Sequence, residues 1–236
     1  MPHKILVVGS ATYAQAVKEL GKTSFYTEDF IKNPKKFSLV LFTGGADIHP
    51  SFYGHMCPEL RPLCFTDIDR DLKEAYIYNV AKENGVKMAG ICRGLQFLNV
   101  MNGGKMMHHL DNHENVLHEF ECLKDDKIRE VNSFHHQMII PGKDCKVVGW
   151  SPTKRSKIYY GNRDKVVEWK GPELEAAIFP KSKACGVQWH PEWMHRNTPG
   201  RNFFTNMVSN LLELPLEVFV SMYTGAKKKN GSTGIS

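Results

Sequence analysis

Cys92 stands in the pentapeptide Gly90-Ile91-Cys92-Arg93-Gly94, between an apolar run and a segment of helical periodicity. Strand, G-x-C-x-G turn and helix follow in the order of a nucleophile elbow, where flanking glycines let the backbone turn sharply and present the side chain at the strand's carboxyl edge. A helix that starts there offers unpaired N–H groups and a partial positive charge, and both favour thiolate over thiol. The pentapeptide alone also fits a buried core cysteine beside ordinary turn glycines. A sulfur nucleophile needs a base, and the base needs an acceptor to orient it. His190 and Glu192, in "GVQWHPEW", supply both. Residues two apart in an extended segment project to one side, so Glu192 can hold one imidazole nitrogen while the other faces the sulfur. Nucleophilic catalysis by cysteine is the chemistry that these residue types allow.

These side chains need a scaffold to bring them together. "KILVVGS" (4 to 10), "SLVLFTGG" (38 to 45) and "VKMAGIC" (86 to 92) are short apolar runs that end in Gly or another small residue, and they read as buried parallel strands. Between the second and third, residues 67 to 85 predict a helix with Leu72, Ala75, Tyr76, Tyr78, Asn79 and Val80 on its stripe and Gly85 as its stop. Strand, helix, strand at that spacing implies a parallel α/β sheet. The second half is richer in strands, with runs at 116 to 123, 145 to 151, 165 to 171, 175 to 180 and 185 to 192, before a helix over 199 to 214. The chain therefore reads as a single domain over 1 to 224, with 225 to 236 as a disordered basic and polar tail.

At 236 residues and 42% hydrophobic composition the chain can build a substantial core. No apolar run approaches membrane-spanning length and the N-terminus does not resemble a signal peptide, so a cytoplasmic protein without membrane contact is expected. The net charge of +6 includes three lysines from one run in the tail, "KKKNGSTGIS", and without that run the excess is ordinary; the basic and aromatic stretch "TKRSKIYYGNR" (153 to 163) is expected to contact the leaving-group half of a substrate or a partner protein. Nucleic acid is not an expected partner. Six cysteines are spread through the chain with no C-x-x-C pair, which reads as free thiols. "HHLDNHENVLH" (108 to 118) holds four histidines, and His109 with His113 has the spacing of a helical metal pair. Ordinary loop composition is the preferred reading, so neither a metal nor a cofactor is expected.

Taken together, "GICRGLQ" and "GVQWHPE" resemble the class I glutamine amidotransferase superfamily. "FTGGADIHPSFYG" (42 to 54) is similar to the signature of its γ-glutamyl hydrolase branch, peptidase family C26. "DRD" (69 to 71) and "VNSFHHQ" (131 to 137) are similar to segments of the γ-glutamyl-γ-aminobutyrate hydrolases in that branch. The resemblance runs in order from about Lys4 to Leu214 and implies a flavodoxin-like fold: a mostly parallel central sheet flanked by helices, with strand-rich excursions.

It further implies hydrolysis of a γ-glutamyl amide through a glutamyl thioester on Cys92, with His190 as proton carrier and Glu192 as its orienting partner. The oxyanion donors would be the backbone N–H groups of Gly45 and Arg93. Gly44, Gln96, His135 and Gln137 would bind the glutamyl half, and Asp47 and Tyr53 would fix their loop. Family hydrolases usually carry a longer stretch, with an added strand and helix, where this chain has Ser10 to Leu39. The expected partner is a small γ-glutamyl substrate, and a second copy of the chain or a separate synthetase are further candidates. Two other readings stay open: a glutaminase subunit that feeds ammonia to that synthetase, no synthetase domain being expected on this chain, and a non-catalytic binding protein of the same fold.

Overall fold

The apolar runs of the first half form strands that are buried on both faces, as a sheet covered by helices on each side requires. The structure, a computed structural model, describes residues 2–56, 64–125 and 127–224. The expected tail, 225 to 236, and Cys57 lie outside the described residues. Strands β1 (His3–Val8), β2 (Gly21–Ser24), β3 (Leu39–Phe42) and β4 (Lys87–Ile91) are parallel. Helix α1 (Thr27–Lys32) follows β2, α2 (Ile68–Glu83) crosses from β3 to β4, and α3 (Arg93–Met101) leaves β4. The span from Ser10 to Leu39, short as it is, thus holds both a strand and a helix.

The second half contains β5 (Lys105–Met107), β6 (His109–Leu110), β7 (Glu114–Cys122), β8 (Ile128–Phe134), β9 (Met138–Ile140), β10 (Lys146–Ser151), β11 (Tyr159–Tyr160) and β12 (Val166–Val167). β13 (Glu173–Phe179) and β14 (Ala184–Val187) lead into α4 (Pro199–Glu213) and α5 (Leu216–Thr224). Among the described residues the main sheet has nine strands, in the order β2-β1-β3-β4-β14-β13-β10-β7-β8. β14 is the seam: it pairs parallel with β4 and antiparallel with β13. Trp189, Phe203, Phe204, Met207 and Phe219 pack one face of the sheet, and Phe42, Tyr78, Phe97 and Leu98 pack the other. No helix among the described residues is long and apolar enough to cross a membrane.

Three expectations change. On α2 the buried face is Asp71, Glu74, Ile77, Tyr78 and Ala81, whereas Leu72 and Tyr76 are 57% and 54% exposed. Two buried carboxylates, held by an arginine described below, set that face and override the apolar stripe. The strand expected over 165 to 171 shrinks to β12, whose valines stay exposed and pair only with β11. The run at 185 to 192 leaves the sheet after Val187, because Pro191 cannot donate to a ladder and opens a single 3-10 turn, Pro191–Trp193.

Candidate active site

Cys92 sits between the last residue of β4 and the first of α3, with φ 53° and ψ −113°. A positive φ at a residue with a Cβ costs on the order of 1–3 kcal/mol, so the surrounding packing must impose it. Its N–H donates to Val187 O at 2.8 Å, and its carbonyl accepts from Gln96 N at 3.2 Å, which ties the turn to β14 and to the helix. Both flanking glycines are required by space. A Cβ on Gly94 would lie 2.1 Å from Phe42 O, and one on Gly90 would lie 2.4 Å from Gly94 C. Arg93 opens α3, so its N–H has no intrahelical acceptor. The Cys92 sulfur lies 3.9 Å from Phe134 O, on the far rim.

His190 comes from the segment just beyond β14, the parallel neighbour of β4. Its Nδ1 is 2.7 Å from Glu192 Oε1. The expected pair therefore meets, but through the turn at Pro191 rather than through extended backbone. Asn132 clamps the histidine backbone from β8: its Oδ1 accepts from His190 N at 2.8 Å and its Nδ2 donates to His190 O at 3.0 Å. Trp193 stacks on the imidazole, with ring centroids 4.0 Å apart and planes 7° apart, and Tyr13 OH approaches Nδ1 at 3.5 Å. Burial opposes a charge on His190, but Cys92, which faces the ring, and Glu192 outweigh it and raise the imidazole to about 10. Nε2 is buried without a hydrogen-bond partner, so it is available to exchange a proton. Burial, with the charges of Glu192 and Cys92, pushes the Tyr13 phenol up, so it stays neutral.

The loop after β3 faces this pair. A Cβ on Gly44 would lie 2.3 Å from Tyr13 OH and 3.4 Å from His190 Cε1, and Gly45 has φ +130°. Arg70, on α2, braces the loop by donating to Thr43 O at 3.1 Å and Gly44 O at 3.0 Å. Arg70 also donates to Glu74 Oε1 at 2.8 Å; Arg93 pairs with Glu74 and Asp71, and Asp71 accepts from His49 N at 2.8 Å. One buried charge network thus connects the residue after Cys92 with both ends of the glycine loop.

Cys92, Arg93, Gly45, Gln96, His135, Gln137 and His190 line a single pocket of about 370 Å³, and Tyr13 and Trp193 complete its wall near the sulfur. Glu192 and Gly44 sit behind His190. Gln96 Nε2 lies 3.3 Å from Gln137 O and 3.3 Å from Gln188 Oε1, which fixes its amide. Both amide ends of Gln137 are buried without a partner. Asp47 pairs with His136 at 3.2 Å on the opposite wall. His135 Nδ1 is 2.9 Å from Gln137 O, and its Nε2 lies 3.9 Å from Glu175 in a buried polar cluster beneath the pocket. Burial holds His135 well below the usual imidazole range and His118 down at about 4, and it pushes Glu175 well above the carboxylate range.

Sequence reasoning missed Tyr13, Trp193, Asn132 and the Arg70 and Glu74 brace. Asn132 and Trp193 lie inside the stretches "VNSFHHQ" and "GVQWHPEW", and Arg70 lies inside "DRD". Nothing local marks Tyr13, because its role depends on a contact across the sheet.

Residues 11–129 match the family model for peptidase C26. Protein NtpR of Enterococcus hirae is 30% identical over 179 residues, which cover 66% of this chain and 67% of the relative. Gamma-glutamyl-gamma-aminobutyrate hydrolase PuuD of Escherichia coli K12 is 29% identical over 189 residues, 68% of this chain and 65% of the relative. The chain spans about two thirds of the length of these curated relatives. The fold is similar to that of a glutamine amidotransferase crystal structure from Thermotoga maritima, with a TM-score of 0.51, 14% identity, and coverage of 94% of this chain and 90% of that one. With half of its length in the family match, the chain belongs to the peptidase C26 family of glutamine amidotransferase-like hydrolases.

Proposed function

We propose that the protein hydrolyses γ-glutamyl amide bonds with Cys92 as nucleophile. The observation that carries this reading is the elbow cysteine facing a histidine whose second nitrogen is held by Glu192 at 2.7 Å. The Cys92 thiolate attacks the amide carbon and forms a tetrahedral oxyanion, which the N–H groups of Gly45 and Arg93 stabilise. Donors placed beforehand in this way contribute about 3–4 kcal/mol in comparable sites. As the C–N bond breaks, His190 gives its proton to the departing nitrogen, since an amine anion is too poor a leaving group. A glutamyl thioester remains. His190 then takes a proton from water, the resulting hydroxide equivalent attacks the thioester, and glutamate leaves as Cys92 regains its charge.

Gln96 and Gln137 are the groups we assign to the α-amino and α-carboxylate ends of the glutamyl half, Gln137 because both its amide atoms are buried and unpartnered in the pocket. The relationship to γ-glutamyl-γ-aminobutyrate hydrolases supports a γ-glutamylated amine as the substrate class. The test is glutamate release from glutamine, γ-glutamyl-γ-aminobutyrate, γ-glutamyl-putrescine and a γ-glutamyl peptide. Turnover of one of them should fall by about 10³-fold or more in Cys92→Ala. Equal release by the variant would overturn the assignment. Silence on all four, with Cys92 still alkylated selectively by a γ-glutamyl chloroketone, would instead favour a glutaminase subunit that waits for a synthetase.

A further inference from the structure

Beneath the pocket, four side chains meet with too few protons among them. His113 stands before β7, His118 lies on β7, His135 follows β8, and Glu175 lies on β13. The Nε2 atoms of His118 and His135 and both carboxylate oxygens of Glu175 are buried without a hydrogen-bond partner, and His113 Nε2 lies 3.1 Å from Glu173 Oε2. One ligand atom each from His113, His118 and Glu175 lie within 4.8 Å of one another, and His135 Nε2 approaches Glu175 Oε1 at 3.9 Å.

The outer side of each ring decides what the inner side can offer. His118 Nδ1 is 3.0 Å from Glu119 O and His135 Nδ1 is 2.9 Å from Gln137 O. A carbonyl oxygen only accepts, so these Nδ1 atoms carry the protons and the neutral rings turn bare Nε2 lone pairs inward. His113 Nδ1 faces Ser133 Oγ at 3.4 Å, and that hydroxyl donates to His113 O. Lone pairs facing a carboxylate repel unless an electrophile lies between them, and one carboxylic proton cannot serve both the His118 and the His135 nitrogen. Ring N–H groups that donate outward to carbonyl oxygens are the arrangement that fixes metal-binding histidines.

We propose that His113, His118 and Glu175, with His135 as the fourth donor, bind one divalent transition-metal ion of the zinc class. Three imidazole nitrogens and one carboxylate oxygen suit tetrahedral zinc, whereas calcium and magnesium require oxygen-rich shells. Charge agrees with this assignment. Glu173, 3.1 Å from His113 Nε2, is already satisfied by Arg155 N, Ser156 N and Tyr159 OH, so it is the second buried anion that a dication would balance rather than a ligand. With all four donors buried, the site is closed and structural. It fastens β7, β13 and the turn after β8 to the floor of the pocket, which His135 lines. The sequence reading expected no metal here, and His109, spaced four residues from His113, is not part of this site, because the segment forms strands and His109 turns toward His136.

The assignment does not depend on the γ-glutamyl reading, and neither does its test. Untagged full-length protein from zinc-supplemented medium is analysed for bound metal by mass spectrometry, and cobalt-exchanged protein for the visible band of tetrahedral cobalt. About one equivalent per chain is expected, absent from His118→Gln and Glu175→Gln, with a chelator lowering the wild-type Tm by about 5 °C or more and zinc restoring it. Wild-type protein that holds no zinc, takes up no cobalt and ignores the chelator would overturn the proposal, whether or not the variants fold. Metal retained in both variants would also overturn it, by placing the ion elsewhere.

Discussion

The His190 proton is held against burial by Cys92 on one side and Glu192 on the other. Since the proposed acylation step consumes that proton, kcat/KM should fall on the alkaline side as pH passes about 10, the raised value of this imidazole. Glu192→Gln keeps the shape but removes one anion, so the alkaline limb should move to lower pH. A pH–rate profile of both proteins with a γ-glutamyl amide measures it, and coincident limbs would separate His190 from proton transfer. At this scale the sequence was legible where chemistry is local. Gly90, Gly94, Cys92, His190 and Glu192 stand in two short stretches and can be read from spacing. Tyr13 could not be read in that way: it reaches His190 only because β1 and β14 end on the same side of the sheet.

Helix α2 shows why an element's buried face can escape hydrophobic pattern. Asp71 and Glu74 turn inward because Arg93, 1% exposed at the start of α3, must be paired, and the apolar Leu72 and Tyr76 turn out to solvent. Removing one member of a buried ion network strands its partners, at about 3–5 kcal/mol. Glu74→Ala should therefore lower the urea midpoint by that amount of stability, whereas Leu72→Gln should stay within about 0.5 kcal/mol of wild type. The opposite ranking would mean that the face is wrongly assigned. Strands behave differently: β1, β3 and β4 carry unbroken apolar and small-residue runs at 5 to 8, 39 to 42 and 88 to 91 and were legible at once, because burial on both faces leaves no pattern to confuse. β2, β5, β6, β9 and β11 were not, since none exceeds four residues and each is held by its neighbours rather than by its own sequence.

Across the whole molecule the same titration couples to unfolding. His190 is raised from 6.5 to about 10 in the folded protein, so its contribution to stability is fully present below pH 6.5 and is lost as pH rises through about 10. The stability difference between wild type and Glu192→Gln, followed by urea unfolding across this window, should shrink steadily toward pH 10; a difference that grows with pH would contradict the sign. The α/β class, the parallel strands β1, β3 and β4, the run of β7 and the C-terminal helix could be inferred from the sequence, but the strand order and the antiparallel pairing that carries the sheet through β7 to β8 depend on long-range contacts that no local run announces. The seam at β14 has a further consequence. Cys92 and His190 follow the ends of two adjacent strands, Ile91 against Val187, so their separation is a lattice constant of the sheet. Side-chain changes at the rim, at Glu114 or Phe134, can alter what enters the pocket while Asn132 still clamps His190, so the entrance is free to vary without shifting the pair beneath it.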